Sequence, residues 1–405
     1  MLVIACAKMS TGKFIIACVC AVFPMSLPAQ NAATAQKLFL KGDYAACLKI
    51  SRQATPAEAD FSSLAALEIR TLLETGSYNE AATRGRILWR RAPFDPELTL
   101  LVSRALRATG QSAQAESLLE QALQMQPNEP AAGNSRQSVA FGELLLAAKV
   151  DAKLVLERVL EPAKKIDPEG RAAYLAIGRL ALANHDRELA AENFHEGFKR
   201  FPGDPEFALG LEMAGLTPPE TTDGAARYVD LALRENPKFT AALLQKAALL
   251  EGRKNFSEAK VTLQEVLAIN PHHPEAWAKL AAIALLEEDP ATAEKALVNA
   301  RKFQKSNPRV AEIVGTTLAA HYRFAEGIEF LRQASDEDPA SPAIRLELGS
   351  NQLRFGQLED GWKNVALANE ADPYNVAAFN LIKLRDKLET YPVRELDGVS
   401  LRMSP

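Results

Sequence analysis

The sequence is poor in the residues that carry most enzyme chemistry. Its 405 residues include four cysteines and five histidines, and aromatic side chains make up only 7%. Cys6, Cys18 and Cys20 lie close to the N-terminus, in a segment with the features of an export leader. Removal of that leader would leave Cys47 alone, which excludes an internal disulfide and a cysteine-based zinc site in the mature chain.

Short catalytic motifs are also missing. The chain has no glycine-rich phosphate loop and no Gly-x-Ser-x-Gly sequence. His195 and Glu196 begin a zinc-protease helix motif, but Lys199 stands where the second histidine would have to be. The sequence therefore predicts no catalytic residue, no metal ligand and no bound cofactor, and it favours a protein that is not an enzyme.

Charge of one sign is not in large excess. The formal net charge is -4, and without residues 1–29, which hold two of the 47 basic residues, it becomes 45 minus 51, or -6. A mildly acidic, mixed surface argues against nucleic acid as a ligand. The basic cluster Arg84, Arg86, Arg90 and Arg91 is interpreted as a solvated helix face.

The longest apolar run is short and lies in the leader. Lys13 is followed by apolar residues 14–23 and by a small-residue site ending at Ala29, so residues 1–29 are predicted to be a cleaved signal peptide. The run is too short for stable membrane insertion, and the expected location is the periplasm or the exterior. Lipid anchoring at Cys18 is the less favoured alternative, because the apolar run continues to Phe23.

What the chain does have is a repeated helical pattern, clearest in residues 171–204. Tyr174 and Gly178 share one helical face, whereas Ala190 and Phe194 share another, and Pro202 ends the second stripe. The spacing predicts two short helices joined by a turn at residues 184–186.

The pattern recurs with a period of 34 residues or close to it. Helix-ending prolines occur at Pro93, Pro127, Pro168, Pro202, Pro237, Pro271, Pro339 and Pro373. Small residues keep the same period at Cys47, Ala81, Ala115, Ala190, Ala225, Ala259, Ala293, Gly327 and Gly361, with a break at Leu156. The pattern resembles the tetratricopeptide repeat. This resemblance implies an all-α fold, a right-handed superhelix (α-solenoid) of about ten helix-turn-helix repeats.

Departures from the period divide the chain. Repeats 1–3 are expected over residues 30–129 and repeats 4–10 over 137–375, with an inserted polar loop at 130–136 between them. The sixth unit is irregular near Gly215 and Pro218. These two sites either bend the superhelix or are simply degenerate repeats. A capping helix is expected over residues 376–390.

The last segment, residues 391–405, changes character. Alternating apolar residues flank Asp397-Gly398, a signal for a β-hairpin. Residues 372–403 also resemble the junction at which bacterial repeat proteins continue into a gluzincin-type (peptidase MA-like) metalloprotease domain. That resemblance implies an alternative function, the substrate- or partner-binding part of a truncated zinc protease.

The repeat resemblance implies a concave groove, lined by the first helix of each repeat, that takes a peptide or a partner protein. Carried over by phase, the groove residues are Leu100, Arg104, Arg107, Phe141, Leu145, Leu175, Arg179, Leu182, Leu244, Leu285, Leu346 and Leu353. The arginines could pair with a carboxylate of the partner. Alternatively, the leucines pack within the solenoid and bind nothing. The expected function is that of an exported bacterial protein-protein interaction scaffold.

Overall fold

The computed structural model describes residues 29–125, 135–215, 224–396 and 399–402. Residues 1–28 of the predicted signal peptide lie outside these ranges, and Ala29 is the first helical residue. Residues 130–134 of the predicted inserted loop also lie outside them, whereas Ser135 and Arg136 already belong to a helix. Pro218 in the irregular sixth unit is likewise not described.

The described residues form ten consecutive helix pairs, one for each repeat, followed by a single helix and a hairpin. The pairs are α1 (Ala29–Leu40) and α2 (Tyr44–Ser51), α3 (Phe61–Glu74) and α4 (Tyr78–Trp89), α5 (Pro96–Ala108) and α6 (Ser112–Met125), α7 (Ser135–Ala147) and α8 (Ala152–Val155, a π-helical segment Leu156–Leu160, and Glu161–Ile166), α9 (Arg171–Ala183) and α10 (Arg187–Arg200), α11 (Pro205–Ala214) and α12 (Gly224–Glu235), α13 (Thr240–Gly252) and α14 (Phe256–Ile269), α15 (Pro274–Leu286) and α16 (Pro290–Ala300), α17 (Pro308–Ala320) and α18 (Phe324–Glu337), and α19 (Pro342–Arg354) and α20 (Leu358–Ala371). The last elements are α21 (Val376–Glu389), β1 (Val393–Leu396) and β2 (Val399–Arg402). The all-α superhelical repeat fold expected from the sequence is confirmed.

The first helix of several repeats begins with the same local chemistry. At repeat 3, the Asp95 carboxylate accepts the Leu98 backbone N–H at 2.8 Å, and Pro96 occupies the first helical position. At repeat 6, the Asp204 carboxylate accepts the Glu206 backbone N–H at 3.0 Å. Each cap satisfies a backbone donor that the helix itself leaves free, so the chain can start a new helix immediately after a short loop.

The two helices of a repeat cross at small residues. A Cβ atom placed on Gly315 would lie 2.7 Å from the carbonyl oxygen of Gly327 on the facing helix, closer than any side chain allows. Ala190 and Ala259 occupy the equivalent place in other repeats and are fully buried. The periodic small residues predicted from the sequence are therefore the contact points that let the paired helices approach closely.

Repeat 4 accommodates the break in that series. Leu156 is larger than the alanine found at this place elsewhere, and it begins the π-helical segment of α8. Leu160 still packs against Gly142 on α7, where an added Cβ would come within 2.7 Å of its Cδ2 atom. The same contact exists in repeat 5 between Phe194 and Gly178. The helix pair of repeat 4 therefore keeps its packing although α8 contains a π-helical segment.

The C-terminal elements follow the expectation from the sequence. Helix α21 packs on repeat 10, where Ala378 is buried among Leu346, Val365 and Ala368. Strands β1 and β2 pair antiparallel, with Leu396 opposite Val399. The expected hairpin tail is confirmed.

Successive turns of the superhelix touch each other. We call the turns that join the two helices of a repeat the turn edge, and the loops that join consecutive repeats the loop edge. The turn edge of repeats 1–5 packs on the loop edge that follows repeats 6–10. In the first of these contacts the Tyr44 hydroxyl donates to the carbonyl of Lys238, which lies 194 residues further along the chain.

The other contacts follow the same pattern. The Asn270 side-chain amide donates to the Tyr78 hydroxyl at 2.9 Å. The Val376 backbone N–H donates to the Asn184 carbonyl at 3.0 Å. These hydrogen bonds join backbone or buried groups at several points along the superhelix. The turns of repeats 1–5 are therefore held against the loops that follow repeats 6–10, and the superhelix is not an open spiral there.

Gly76 offers a direct test of this contact. It has a φ of +75°, and an added Cβ would lie 2.2 Å from the side-chain oxygen of Asn270. Gly356 has a φ of +87°, and a Cβ atom added to it would meet no atom within 4 Å. It is therefore a matched control for backbone strain alone. We expect Gly356→Ala to cost about 1 kcal/mol of stability and Gly76→Ala clearly more, because the second change also separates the two superhelical turns.

Thermal unfolding followed by circular dichroism measures both variants. Equal losses of melting temperature for Gly76→Ala and Gly356→Ala would contradict the packing of the turn edge on the loop edge.

Candidate functional site: a partly covered lumen

The packing of the two edges converts the concave surface of repeats 1–5 into a partly covered lumen. Its cavity has a volume of about 1160 Å³. The first helices of repeats 1–5 supply one wall, and the loops that precede α13, α19 and α21 supply the facing wall. Apolar wall residues include Phe39, Leu73, Leu100, Leu146 and Phe239.

A ladder of charged residues runs along the helical wall at one position of successive first helices. Its members are Arg70, Arg104, Glu143 and Arg179. Arg70 is paired with Glu97 of the next repeat at 2.9 Å. Glu97 also accepts from Arg136 at 2.8 Å, which places two guanidinium groups on one carboxylate.

Glu206 forms the second centre of this ladder. It is paired with Arg179 at 2.5 Å and with Arg171, which also bonds Asp204. Burial disfavours ionisation of Glu206, but Arg171, Arg179 and Arg70 outweigh it and hold the pKa of the carboxyl well below its usual range. The Glu206 carboxylate is therefore ionised at neutral pH, and it is paired with Arg171 and Arg179.

Arg104 and Arg107 differ from their neighbours on the ladder. Within the described residues, neither guanidinium is within 4 Å of a carboxylate oxygen, and neither makes a side-chain hydrogen bond. Arg104 is open to the lumen but surrounded by protein. Burial lowers its pKa, and the nearby cations Arg179, Arg70 and Arg107 lower it further against the opposing effect of Glu143. The middle of the helical wall therefore presents positive charge that lacks a close partner.

The facing wall is acidic. Asp338 and Asp372, on the loops that precede α19 and α21, line the cavity. The Lys149 Nζ atom lies 3.8 Å from Asp338 Oδ1. The helical wall thus carries both signs of charge, with its positive charge concentrated at Arg104 and Arg107, while the loops of the facing wall add the acidic Asp338 and Asp372. Such a surface suits a polypeptide segment better than a uniformly charged polymer.

The structure brings together four of the twelve residues predicted for the groove. Leu100, Arg104, Arg107 and Arg179 all line the lumen. The remaining eight lie in the hydrophobic clusters between helices, namely Phe141, Leu145, Leu175, Leu182, Leu244, Leu285, Leu346 and Leu353.

Leu175 and Leu346 are each only 3% exposed, so the structure corrects their expected placement on the groove surface. A shift of one residue in helical phase is enough to exchange the inner face for the core. Contact of any of the twelve residues with a partner stays a prediction.

Sequence reasoning missed the acidic half of the site. Glu97 and Glu206 each follow a proline at the start of a first helix, and this Pro-Glu pattern was an available signal. Asp338 and Asp372 gave no such signal, because they reach the lumen only through the stacking of superhelical turns.

The described ranges lack two kinds of feature. These residues contain no group of three or more His, Cys, Asp and Glu side chains arranged to hold a metal ion. Nor does any described helix have the length and apolar character needed to cross a bilayer.

Comparisons with known proteins agree with this architecture. Two family models described as tetratricopeptide repeat match the chain, one at residues 67–130 and the other at 220–283 and 252–315. These segments are similar to tetratricopeptide repeats. The matched ranges fall in both halves of the superhelix, and the ten helix pairs carry the same packing through the described residues between them.

Several solved structures are similar to this chain at low sequence identity. Yeast Tom70 is 11% identical with a TM-score of 0.38, and the match covers 90% of this chain and 97% of that one. The APC/C hetero-tetramer Cut9-Hcn1 is 16% identical with a TM-score of 0.46, over 83% of this chain and 65% of that one. YrrB, a tetratricopeptide-repeat protein with an unusual peptide-binding site, is 13% identical with a TM-score of 0.25, over 55% and 97%. Comparison with curated proteins gives no significant match.

The predicted junction with a metalloprotease gains no support. The matched family models are tetratricopeptide repeats, and none of their ranges reaches residues 372–403. The comparisons therefore do not support the resemblance of residues 372–403 to a protease junction.

Glu74 allows the electrostatics of the lumen to be tested. It lies on the cavity wall, where the Thr240 hydroxyl donates to it at 2.6 Å. Burial raises the pKa of this carboxyl, and the charge of Glu206 raises it further, although the bonds from Thr240 and Tyr44 oppose them. A raised folded-state pKa means that ionised Glu74 destabilises the fold at neutral pH, and that the penalty disappears as pH falls through that pKa.

We therefore expect Glu74→Gln to raise the melting temperature by a few degrees at neutral pH, because a glutamine oxygen still accepts from Thr240. The gain should shrink with acidification and vanish below about pH 4, where glutamate is protonated in both states. Glu116→Gln, an exposed change outside the lumen, is the control. A Glu74→Gln variant that is less stable by the same amount at every pH would contradict the burial argument.

Proposed function

We propose that this protein is an interaction scaffold whose lumen binds a segment of a partner protein through a carboxylate. The tetratricopeptide repeats and their superhelical packing support the general role. The observation that carries the specific proposal is Arg104, whose guanidinium faces the lumen without a carboxylate in contact among the described residues, with Glu143 and the cations Arg179, Arg70 and Arg107 nearby.

A bound carboxylate would relieve an unfavourable arrangement. Arg70 and Arg179 are neutralised by Glu97 and Glu206, whereas Arg104 and Arg107 are left to a ligand. Two neighbouring guanidinium groups can hold a carboxylate through forked hydrogen bonds. In a partly dehydrated cavity such bonds are stronger than at an open surface.

The apolar wall defines the rest of the ligand. Leu73, Leu100 and Leu146 surround the arginine ladder. A ligand segment with aliphatic side chains beside its carboxylate would bury them on these leucines and gain affinity from the hydrophobic effect. We therefore favour a short acidic-aliphatic segment, either internal or at a chain end.

Binding can be tested with a labelled peptide of alternating leucine and glutamate that ends in a free carboxylate. Fluorescence anisotropy should show that Arg104→Glu and Arg107→Glu each weaken binding at least tenfold, because a charge-assisted hydrogen bond contributes about 1.5–3 kcal/mol. Arg86→Glu, on a second helix outside the lumen, should leave the affinity unchanged.

Circular dichroism should show the same helicity for all three variants. The same affinity for Arg104→Glu and Arg86→Glu, or no binding of the peptide to the native protein, would contradict the proposed site.

We further propose that the protein works after export, in the periplasm or outside the cell. Lys13, the apolar residues 14–23 and the small-residue site at Ala29 support this proposal. Cleavage after Ala29 would remove only the first residue of α1, so the repeat array would remain intact.

Expression of the full chain with a C-terminal tag in a Gram-negative host tests export. The tagged protein should be recovered in the periplasmic fraction, and mass spectrometry should give Gln30 as its first residue. Lys13→Glu should reduce export, because the positive charge before an apolar run orients the leader. A cytoplasmic protein that retains residues 1–29 would refute the proposal.

A further inference from the structure

One end of the lumen carries two carboxylates that no cation neutralises. Asp151, in the turn of repeat 4, and Asp372, in the loop before α21, both line the cavity. Asp151 accepts the Leu154 backbone N–H at 2.7 Å, and Asp372 accepts the Tyr374 backbone N–H at 3.3 Å. These bonds hold the two side chains in place, but they leave each carboxylate with most of its negative charge.

Two lysines flank Asp151 in the sequence, and each of them faces a different carboxylate. The Lys149 Nζ atom lies 3.8 Å from Asp338 Oδ1, and the Lys153 Nζ atom lies 4.0 Å from Glu157 Oε1. Within the described part of the chain, neither Asp151 nor the acidic residue on the facing loop belongs to an ion pair. Both carboxylates are therefore available to a cation from outside the chain.

A buried acceptor without a donor lies at the same end of the lumen. Asn184 follows α9, lines the cavity and is only 3% exposed. Its side-chain amide donates to the Leu180 carbonyl at 2.9 Å, which fixes the end of the amide group that carries the nitrogen. The Asn184 Oδ1 atom then receives no hydrogen bond from any described residue. Its own carbonyl accepts the Val376 backbone N–H at 3.0 Å, so it contacts the loop that carries Asp372.

We call Asp151, Asn184 and Asp372 the acceptor corner. Burial raises the pKa of Asp372, and the charge of Asp151 raises it further, although backbone N–H groups of the loop oppose them. Burial and the charge of Asp186 raise the pKa of the neighbouring Tyr374 to about 12. Both shifts follow from negative charge that lacks a nearby cation. A positive group at the acceptor corner would relieve this arrangement.

We propose that the acceptor corner binds the ammonium or guanidinium group of a basic side chain in the partner segment. This inference rests on the proposed function, because the segment is the one whose carboxylate binds at Arg104 and Arg107. Asp151 contacts the cation from the turn edge and Asp372 from the loop edge, while the buried Asn184 oxygen adds negative potential. The ligand is therefore an aliphatic segment that carries a basic residue as well as a carboxylate.

Opposite charges at two places in one cavity also orient the ligand. A basic side chain at Arg104 and Arg107 would meet like charge, and so would a carboxylate at the acceptor corner. The reversed segment is disfavoured by repulsion at both places, so the lumen selects one direction of the bound chain.

A lysine scan of the labelled leucine-glutamate peptide tests this inference. Each leucine is replaced in turn by lysine, and a twin peptide carries acetyl-lysine, which lacks the charge, at the same place. Fluorescence anisotropy with the native protein should show at least one place where lysine binds about tenfold more tightly than its acetylated twin, because hydrogen bonds to charged groups are the stronger ones.

Two variants then locate the cation. Asp372→Asn and Asp151→Asn each keep a side-chain oxygen for the backbone N–H that the aspartate accepts, so circular dichroism should show native helicity. Each variant should remove most of the gain from lysine and leave the affinity for the acetylated twin unchanged. Asp230→Asn, an exposed change on α12 away from the lumen, is the matched control and should keep the full gain.

The outcomes separate this inference from the proposed function. If the leucine-glutamate peptide binds and Arg104→Glu weakens it, but lysine improves binding at no place, then the acceptor corner is wrong and the carboxylate site is retained. A gain that persists in both asparagine variants would also overturn the acceptor corner. If none of the peptides binds to the native protein, the inference is wrong together with the proposed function.

Discussion

The contact between successive turns of the superhelix is the constraint on which this architecture depends. A repeat solenoid is usually held by neighbouring repeats alone, so its shape follows from local packing. Here Asn270 closes on Gly76 and Tyr78 across 192 residues of chain. Gly76 is required because any side chain would displace the asparagine, and the asparagine is required because it bonds the buried tyrosine hydroxyl. The glycine in the turn of repeat 2 and the contact of that turn with the distant loop at Asn270 therefore depend on each other.

This closure determines what the concave surface can bind. In an open superhelix the arginine ladder would face bulk water, where single charge pairs contribute little to affinity. Under the loops that carry Asp338 and Asp372, the same ladder lies in a partly covered cavity with acidic groups on the facing wall. Glu97 and Glu206 then neutralise the outer arginines. The positive charge that remains is concentrated at Arg104 and Arg107, which gives the lumen a defined centre.

Much of the fold follows from the sequence because its cause is local. The recurrence of Ala190, Gly327 and Gly361 at intervals close to multiples of 34 residues predicts the close crossing of paired helices, and the Asp397-Gly398 sequence predicts the hairpin formed by β1 and β2. The site was only partly predictable. Arg104 and Arg179 were placed correctly on the inner wall, but Leu175 belongs to the core, because an error of one residue in phase exchanges the two faces. The closing loops could not be inferred, since their position depends on small rotations summed over many repeats.

The irregular repeats show that the number of helices, and not the number of residues, is constant between a turn and the loop stacked on it. The turn residue Gly42 and Pro237 of the loop stacked on it are 195 residues apart, whereas the equivalent His185 and Pro373 are 188 apart, and the first interval includes residues 126–134 and the π-helical segment of repeat 4 while the second does not. Both intervals contain eleven described helices. Superhelical rotation therefore accumulates per helix pair, and additional residues are absorbed inside α8 or between helices without shifting the stack. An insertion in this chain is tolerated wherever it leaves the order of helices unchanged, whereas the gain or loss of one helix would place every turn against the wrong loop.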